Sequence, residues 1–362
     1  MLGLPEPTIV CMLNFLFRRV LYGCAVMVLV VLVITSIIYL APVDPTRLTF
    51  GQRSDNATVQ AKKKELGLDQ PLYVQLLYYI NDVSPLSIYT HSSDCEAKYA
   101  YFRIIPLGSQ ALVLKKPYLR ESYQSGRRVT DILSDAIPQT AILAFFSMII
   151  ATLIGIILGV VAALKKGSWF DTSAIIASVM GYSLPSYIVA MILALTLGYW
   201  FADITGLNIQ GSLFELDDFG DEQTVWKNLI LPAIALGIRP VALIQQLTRS
   251  TMLDILTMDY IRTAKAKGLG KWAVIIKHAL RNALNPVTTA VSGWFAGLLA
   301  GAFFVESVFS FNGLGQVTVN ALLNFDIPVV LGCVLFTALV FVVMNILVDV
   351  LYAVLDPRIR IS

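Results

Sequence analysis

Between Val20 and Leu40 the chain carries no charged side chain, and between Ala136 and Leu164 it again carries none. An uncharged apolar run of about 20 residues is long enough to cross about 30 Å of hydrocarbon as a helix. Four further apolar runs follow, one with Arg239 inside it, and with the cuts at their polar flanks the predicted spans are 20–40, 138–164, 172–201, 229–249, 284–305 and 328–349. No water is available in a bilayer core, so a spanning backbone must satisfy its own hydrogen bonds, and α-helix is the form that does this within one segment. The fold class predicted is therefore an all-α polytopic membrane protein with six transmembrane helices. Composition agrees: 57% of the 362 residues are hydrophobic and 14% are charged, where a soluble protein has about 25% charged residues.

Orientation follows from the lysines and arginines of the short loops. With residues 1–19 in the cytoplasm, Arg18, Arg19, Lys165, Lys166, the basic residues from Arg249 to Arg281, Arg358 and Arg360 all fall on the cytoplasmic side. The loop opening at Asp203 is acidic with only Lys227, and 306–326 has no lysine or arginine. Both termini are thus expected inside, with a long outside region at 41–137. In that region Ala41-Pro-Val-Asp-Pro45 breaks the first helix, Lys62–Leu66 and Pro71–Ile80 read as short helices, and 84–128 has no clean period and is left without a fold. Leu21-Tyr-Gly-Cys24 is not a lipoprotein box, because its apolar run follows the cysteine; the first span reads as an uncleaved anchor, and translation starts at Met1 or Met12.

Inside the spans, Gly155-xxx-Gly159 is a close-packing pattern, and Gly293, Gly297 and Gly301 form a small-residue ridge that is read as helix packing in preference to lining a path. Gly181 and Pro185 mark a kink in the third span, and Pro232, Gly237 and Pro240 interrupt the fourth. Four cysteines without a CxxC pair and two histidines supply no metal site, and His91-Ser-Ser-Asp-Cys95 is a polar cluster. There is no GxxxxGK[ST] phosphate loop, so no ATPase or other catalytic site is expected in this chain. Nothing in the charge pattern calls for nucleic acid, and no cofactor is expected.

The segment 251–283 is the one long basic stretch of the second half. It divides at Gly268, and beyond it Trp272, Ile275, Ile276, Ala279 and Leu280 share one helical face, which places an amphipathic element at the membrane surface. Three charged residues near or in the spans each carry two readings. Arg239 either attracts a cargo carboxylate in a pore or pairs with an acid in the bundle; Glu306 either shapes the mouth or caps its loop. Asp349 is read as the partner of an arginine such as Arg249 or Arg19.

Asp259-Tyr-Ile-Arg-Thr-Ala-Lys-Ala-Lys-Gly268-Leu269, with Lys277-His-Ala-Leu-Arg-Asn-Ala-Leu-Asn-Pro286, closely resembles the cytoplasmic EAA loop of ATP-binding-cassette importer permeases, in the form found in the dipeptide, oligopeptide and nickel class. Leu66-Gly-Leu-Asp-Gln-Pro71, Glu306-Ser-Val-Phe-Ser-Phe-Asn-Gly-Leu-Gly315, Asn345-Ile-Leu-Val-Asp349 and Asp356-Pro-Arg358 are similar to other landmarks of that class, in the same order. The stretch 84–128 departs from it. The resemblance implies a permease subunit of an ATP-driven, binding-protein-dependent importer of di- and oligopeptides in the bacterial cytoplasmic membrane. Its partners would be a second, similar permease, two ATP-binding subunits that hold ATP and Mg, an extracytoplasmic substrate-binding protein, and lipid. It also implies that Tyr260, Ile261, Arg262, Thr263, Ala264, Lys265, Ala266, Lys267, Gly268 and Leu269 form the coupling element that docks on the ATPase, Ile261, Ala264 and Leu269 giving the apolar contact and Gly268 the angle. Arg239 and Glu306 are the candidate pore or mouth residues. The same architecture moving nickel, haem or antimicrobial peptides is the alternative, and a stand-alone secondary transporter is a further one, for which neither inverted repeats nor an intramembrane charge relay is found.

Overall fold

A computed structural model of the chain describes residues 9–40, 60, 64, 69–90, 101–107, 110–217, 219–299 and 302–355. The first helix, α1, is Ile9–Leu40, followed by α2, Leu72–Val83, and by three strands, β1 at Leu86–Thr90, β2 at Tyr101–Leu107 and β3 at Gln110–Lys115. Next come α3, Val129–Leu164, then α4, Trp169–Ser183, and α5, Ser186–Leu193, which runs on into a π-helical turn over Ala194–Trp200. A two-stranded pair, β4 at Phe214–Leu216 and β5 at Glu222–Thr224, precedes α6, Lys227–Leu256, and α7, Asp259–Ala266. A second π-helical turn, Val274–Leu280, leads into α8, Arg281–Leu299, and the chain closes with α9, Phe303–Val308, α10, Leu314–Leu323, and α11, Ile327–Leu355.

Among the described residues, four helices are long and apolar enough to cross a membrane: α1, α3, α6 and α11. The pair α4 and α5, bent by 105° at Leu184-Pro185, makes a fifth where it counts as one span. The kink expected from Pro185 is there, because proline disfavours helix at the residue before it and cannot donate to the turn behind it. α8, at 19 residues, is shorter than those four and is not among them. The prolines of the fourth span do not interrupt it: α6 is one helix of 30 residues with Pro232 and Pro240 inside. Likewise α3 begins before the predicted 138 and carries Pro138 within it.

The expectation of an all-α chain is corrected by the small sheets. In the stretch 84–128 the strands pair antiparallel in the order β1-β3-β2, with Leu86 opposite Leu114 and Phe102 opposite Leu114. Strands alternate their side chains, so Val113 is buried while Leu86, Ile88, Phe102 and Leu114 stay exposed on the other face. The predicted break at 41–45, most of the short helix at 62–66, the cluster at 91–95 and the residues 356–360 lie outside the described residues.

The chain divides into two compact units, one of Met1–Met12, Ile137–Gln316 and Val340–Ser362, the other of Leu13–Ala136 and Val317–Leu339. The second unit gathers Val31, Tyr79, Ile327, Leu331 and Leu335 into one apolar cluster. Its loop is fastened by Asp326, which accepts from Ser122 Oγ at 2.5 Å and from the Tyr123 amide at 3.0 Å, and by the Arg120–Asp82 ion pair at 2.9 Å. The first unit is built round α6, 67% of whose apolar stretch is buried, against 11% for α1. α3 lies close against it: a Cβ on Gly155 would stand 2.7 Å from Ile244 Cγ2, and one on Gly159 would stand 2.6 Å from Thr248 Cβ and 2.7 Å from the Gln245 carbonyl. The small-residue pattern of α3 therefore packs helices as expected. The one on α8 does not do so within this chain, since a Cβ on Gly293 or Gly297 meets open space, and Gly301 lies outside the described residues. Gly159→Val is expected to lower the stability of the protein in detergent by about 2 kcal/mol through overpacking, while Gly293→Ala does not lower it; thermal unfolding of both variants separates the two ridges.

Candidate functional site

α7 is a helix of eight residues, too short to hold itself together, and it is fixed by what it buries. Ile261 is 0% exposed and Ala264 is buried, and both pack in a cluster with Met252, Ile255, Val274, Ile275, Ala279 and Ala283. The reading of Ile261 and Ala264 as an outward apolar contact is thus corrected: they anchor α7 to the unit's own helices. Facing outward are Tyr260, Arg262, Thr263, Lys265, Ala266, Lys267, Gly268 and Leu269. Tyr260 is held by Asn282 Nδ2, which donates to its hydroxyl at 2.9 Å, and Thr263 Oγ1 donates back to the Asp259 carbonyl at 3.0 Å. Arg262 and Asp259 stand 3.5 Å apart and are both exposed, a pair of little weight.

Gly268 ends this helix. Its φ is +77°, its amide donates to the Lys265 carbonyl at 3.0 Å, and the Leu269 amide reaches the Ala264 carbonyl at 3.4 Å. These two bonds across a left-handed residue are the Schellman cap. Glycine adopts that conformation freely, where an L side chain costs about 1–2 kcal/mol. The cap turns the chain and presents Leu269 beside the exposed residues of α7.

Beyond Gly268 the single apolar face predicted for Trp272, Ile275, Ile276, Ala279 and Leu280 is split. Val274, Ile275 and Ala279 are buried, whereas Trp272 is 67% exposed and Ile276 is 56% exposed. Val274–Leu280 is π-helical, and its wider turn shifts the faces away from the 3.6-residue period used to read them. The result is a surface carrying Tyr260, Leu269, Trp272 and Ile276 among Arg262, Lys265, Lys267 and Lys271.

Close to this end, Arg249 forks onto Asp171, with Nε to Oδ1 at 2.5 Å and Nη2 to Oδ2 at 2.7 Å. Arg249, one of the two arginines named for Asp349, is thus engaged by Asp171. Asp171 also accepts from the Gly167 amide at 2.9 Å, and its own amide donates to Ser168 Oγ at 3.3 Å, capping α4. The Ser168-x-x-Asp171 spacing was the signal available in the sequence. A second tie, Ser178 Oγ donating to Gln245 Oε1 at 2.6 Å, holds α4 against α6.

Glu306 belongs to the other end of the unit. It is 0% exposed, and its carboxylate accepts from Thr140 Oγ1 at 3.0 Å, from the Gly315 amide at 2.7 Å and from the Gln316 amide at 3.1 Å. Burial raises the carboxyl above the usual carboxylate range, and the donors of Gln316, Thr140 and Gly315 pull it back. Of its two readings the loop cap holds, for a group so enclosed meets no passing cargo. A side chain at Gly315 would meet Phe303 Cα at 2.6 Å, so the loop closes tightly over the acid. Ser212 joins the same end, donating to Gln139 Oε1 at 2.5 Å and accepting from the Asn312 amide at 2.9 Å.

Arg239 lies near the middle of α6. Its guanidinium sits 5.3 Å from the Tyr182 ring centroid and 6.0 Å from that of Trp294, and no carboxylate pairs with it among the described residues. The pairing with an acid in the bundle is thus not seen; sequence reading gave no sign of the two rings, which come from α4 and α8.

Arg249→Met is expected to cost about 3 kcal/mol, because it strands the buried Asp171 carboxylate; adding Asp171→Asn recovers part of the loss, read by thermal unfolding of single and double variants. Glu306→Gln turns an NH2 toward amide donors or gives up their acceptor, and is expected to cost about 2 kcal/mol without changing the surface around α7, read by unfolding and by proteolysis of the 306–316 loop.

Residues 155–361 match the family of binding-protein-dependent transport system inner membrane components, and residues 12–102 match the N-terminal part described for such membrane components. The chain is 37% identical over 364 residues to the dipeptide transport system permease protein of Haemophilus influenzae, covering 96% of this chain and 100% of that one. With the dipeptide transport system permease protein of Escherichia coli it shares 35% over 368 residues, covering 96% and 99%. The inward-facing methionine ABC transporter MetNI has a chain of similar fold, with a TM-score of 0.50 at 15% identity over 63% of this chain and 97% of that one. The family match over residues 155–361 and the relatives matched over nearly their full length lead to one statement: this protein belongs to the family of the inner membrane components of binding-protein-dependent transport systems.

Proposed function

We propose that this chain is the permease subunit of an ATP-driven importer of di- and oligopeptides in the bacterial cytoplasmic membrane. The observation that carries the reading is the surface around α7. An eight-residue helix is anchored by Ile261 and Ala264 and ended by Gly268 at φ +77°, and the segment leaves Tyr260, Leu269, Trp272 and Ile276 exposed along with Arg262, Lys265, Lys267 and Lys271. Exposed aromatic and aliphatic residues inside a charged rim suit a protein partner. Resemblance of the loop assigns that partner as a separate ATPase, which binds ATP and Mg; this chain contributes no residue to that chemistry. The peptide cargo is supported by the two dipeptide permeases matched over nearly their full length.

In this proposal α8 completes a set of six spans with both termini in the cytoplasm, and the sheet β1-β3-β2 stands on the outer side. A second permease flanks the passage, two ATPase subunits dock below, and a substrate-binding protein delivers cargo from outside. Closure of the ATPase pair moves α7 as a body fixed to α6 and α8, and so switches the passage between its two openings. Nickel, haem or antimicrobial peptides as cargo would use the same machinery.

The tagged protein, purified in mild detergent from cells that make its partners, is expected to bring down an ATPase. Gly268→Trp, which distorts the cap and crowds the exposed turn, is expected to lose that ATPase or its stimulation while remaining folded. Recovery of the chain alone, with no ATPase in the wild type, would overturn the importer-subunit reading in favour of a stand-alone transporter.

A further inference from the structure

A guanidinium in a membrane span is costly and stays charged, so it faces protein or water and finds an anion. Arg239 meets the first condition and lacks the second. Its Nε is buried without a hydrogen-bond acceptor, and its neighbours are the rings of Tyr182 and Trp294. The buried acids of its unit are engaged elsewhere, Asp171 with Arg249 and Glu306 with the Gly315 loop. Two rings orient a guanidinium and lower the cost of holding it, yet they accept none of its hydrogen bonds in the plane.

Arg239 is half-buried and not enclosed. α3 exposes Phe145, Ile149 and Leu153, which line an apolar groove together with Val291 and Phe295 of α8. α8, which supplies Trp294, exposes no large apolar side chain from Arg281 to Leu299; outward it shows Asn285, Thr288, Thr289, Gly293 and Gly297. The hydroxyls of Thr288 and Thr289 bond back to the carbonyls of Leu284 and Asn285, which leaves a small, low-relief polar surface. Tyr182, 47% exposed, stands just before the bend at Leu184-Pro185, where α4 gives way to α5.

We infer that Arg239, held between Tyr182 and Trp294, is a carboxylate-binding station in the translocation passage, and that it takes the C-terminal carboxylate of a peptide in transit. This deepens the importer reading and rests on it. A fork of guanidinium donors matches a carboxylate in two bonds, and the free side of the pair of rings gives the adjoining peptide backbone a flat surface. One guanidinium holds one negative charge, and binding weak enough for release is what a transit site requires.

The test uses the complete importer in proteoliposomes with its binding protein, and measures peptide delivered per ATP hydrolysed. Three neutral-bodied tripeptides are compared: the free acid, its C-terminal amide, and the amide carrying one aspartate side chain. For the free acid, Arg239→Gln is expected to lower delivery per ATP at least tenfold, and Arg239→Lys, which keeps the charge without the fork, to restore part of it. Delivery of the plain amide is expected to be the same in wild type and variant. If the aspartyl amide follows the free acid, the site takes any carboxylate and the assignment to the terminus is overturned. Equal losses for acid and plain amide, or no loss for either, overturn the station altogether. Should the wild type refuse both amides, a difference of less than twofold between Arg239→Gln and Arg239→Lys on the free acid overturns it. Import of none of the three by the wild type refutes the peptide-importer reading itself, and this inference falls with it.

Discussion

A backbone in hydrocarbon has no water to bond, and every departure from helix must be closed by groups the protein supplies. This chain departs in few places within its first unit, and each departure is covered. At Leu184-Pro185 the span turns by 105°. At 306–316 the loop folds over Glu306, whose carboxylate gathers the amides of Gly315 and Gln316 and the hydroxyl of Thr140. At Gly268 two capping bonds end α7. Between these points α6 runs unbroken through two prolines, and its close approach to α3 across Gly155 and Gly159 sets the frame on which both ends are built.

The two ends of α6 do different work. A helix of 30 residues extends about 45 Å, so the Glu306 loop and the α7 segment lie at opposite ends of one rigid member. At one end the polar groups are turned inward and satisfied, which makes a closed, stiff cap. At the other, Ile261 and Ala264 take up the inward contacts and leave aromatic and basic groups outside. The buried cluster of Met252, Ile255, Val274 and Ala279 packs α7 against the end of α6 and the turn that leads into α8.

Much of this was legible along the chain. The apolar runs gave α1, α3, α6 and α11, Pro185 gave the bend, and the glycine after Asp259–Ala266 gave the cap, because each depends on near neighbours in sequence. Less legible was the phase of the segment after Gly268, since a π-helical turn cannot be told from an α-helical one by composition. The sheet in 84–128 was missed for a similar reason: its strands are short, its face of Leu86, Ile88, Phe102 and Leu114 is exposed, and the usual inside-outside alternation misleads when the outer face is apolar.

Sequence alone determined that the chain is a membrane protein, where its long apolar helices run and where the basic segment breaks at Gly268, because hydrophobic length, proline, glycine and charge act locally. Tertiary structure decided the partners of the charges. Arg249 went to Asp171 across 78 positions, Glu306 to Thr140 across 166, and Arg239 to two rings from separate helices. It also decided that Ile261 and Ala264 point inward while Leu269, Trp272 and Ile276 point out. Such choices depend on which helices lie side by side in three dimensions, and electrostatic and packing forces act over that distance, not along the chain.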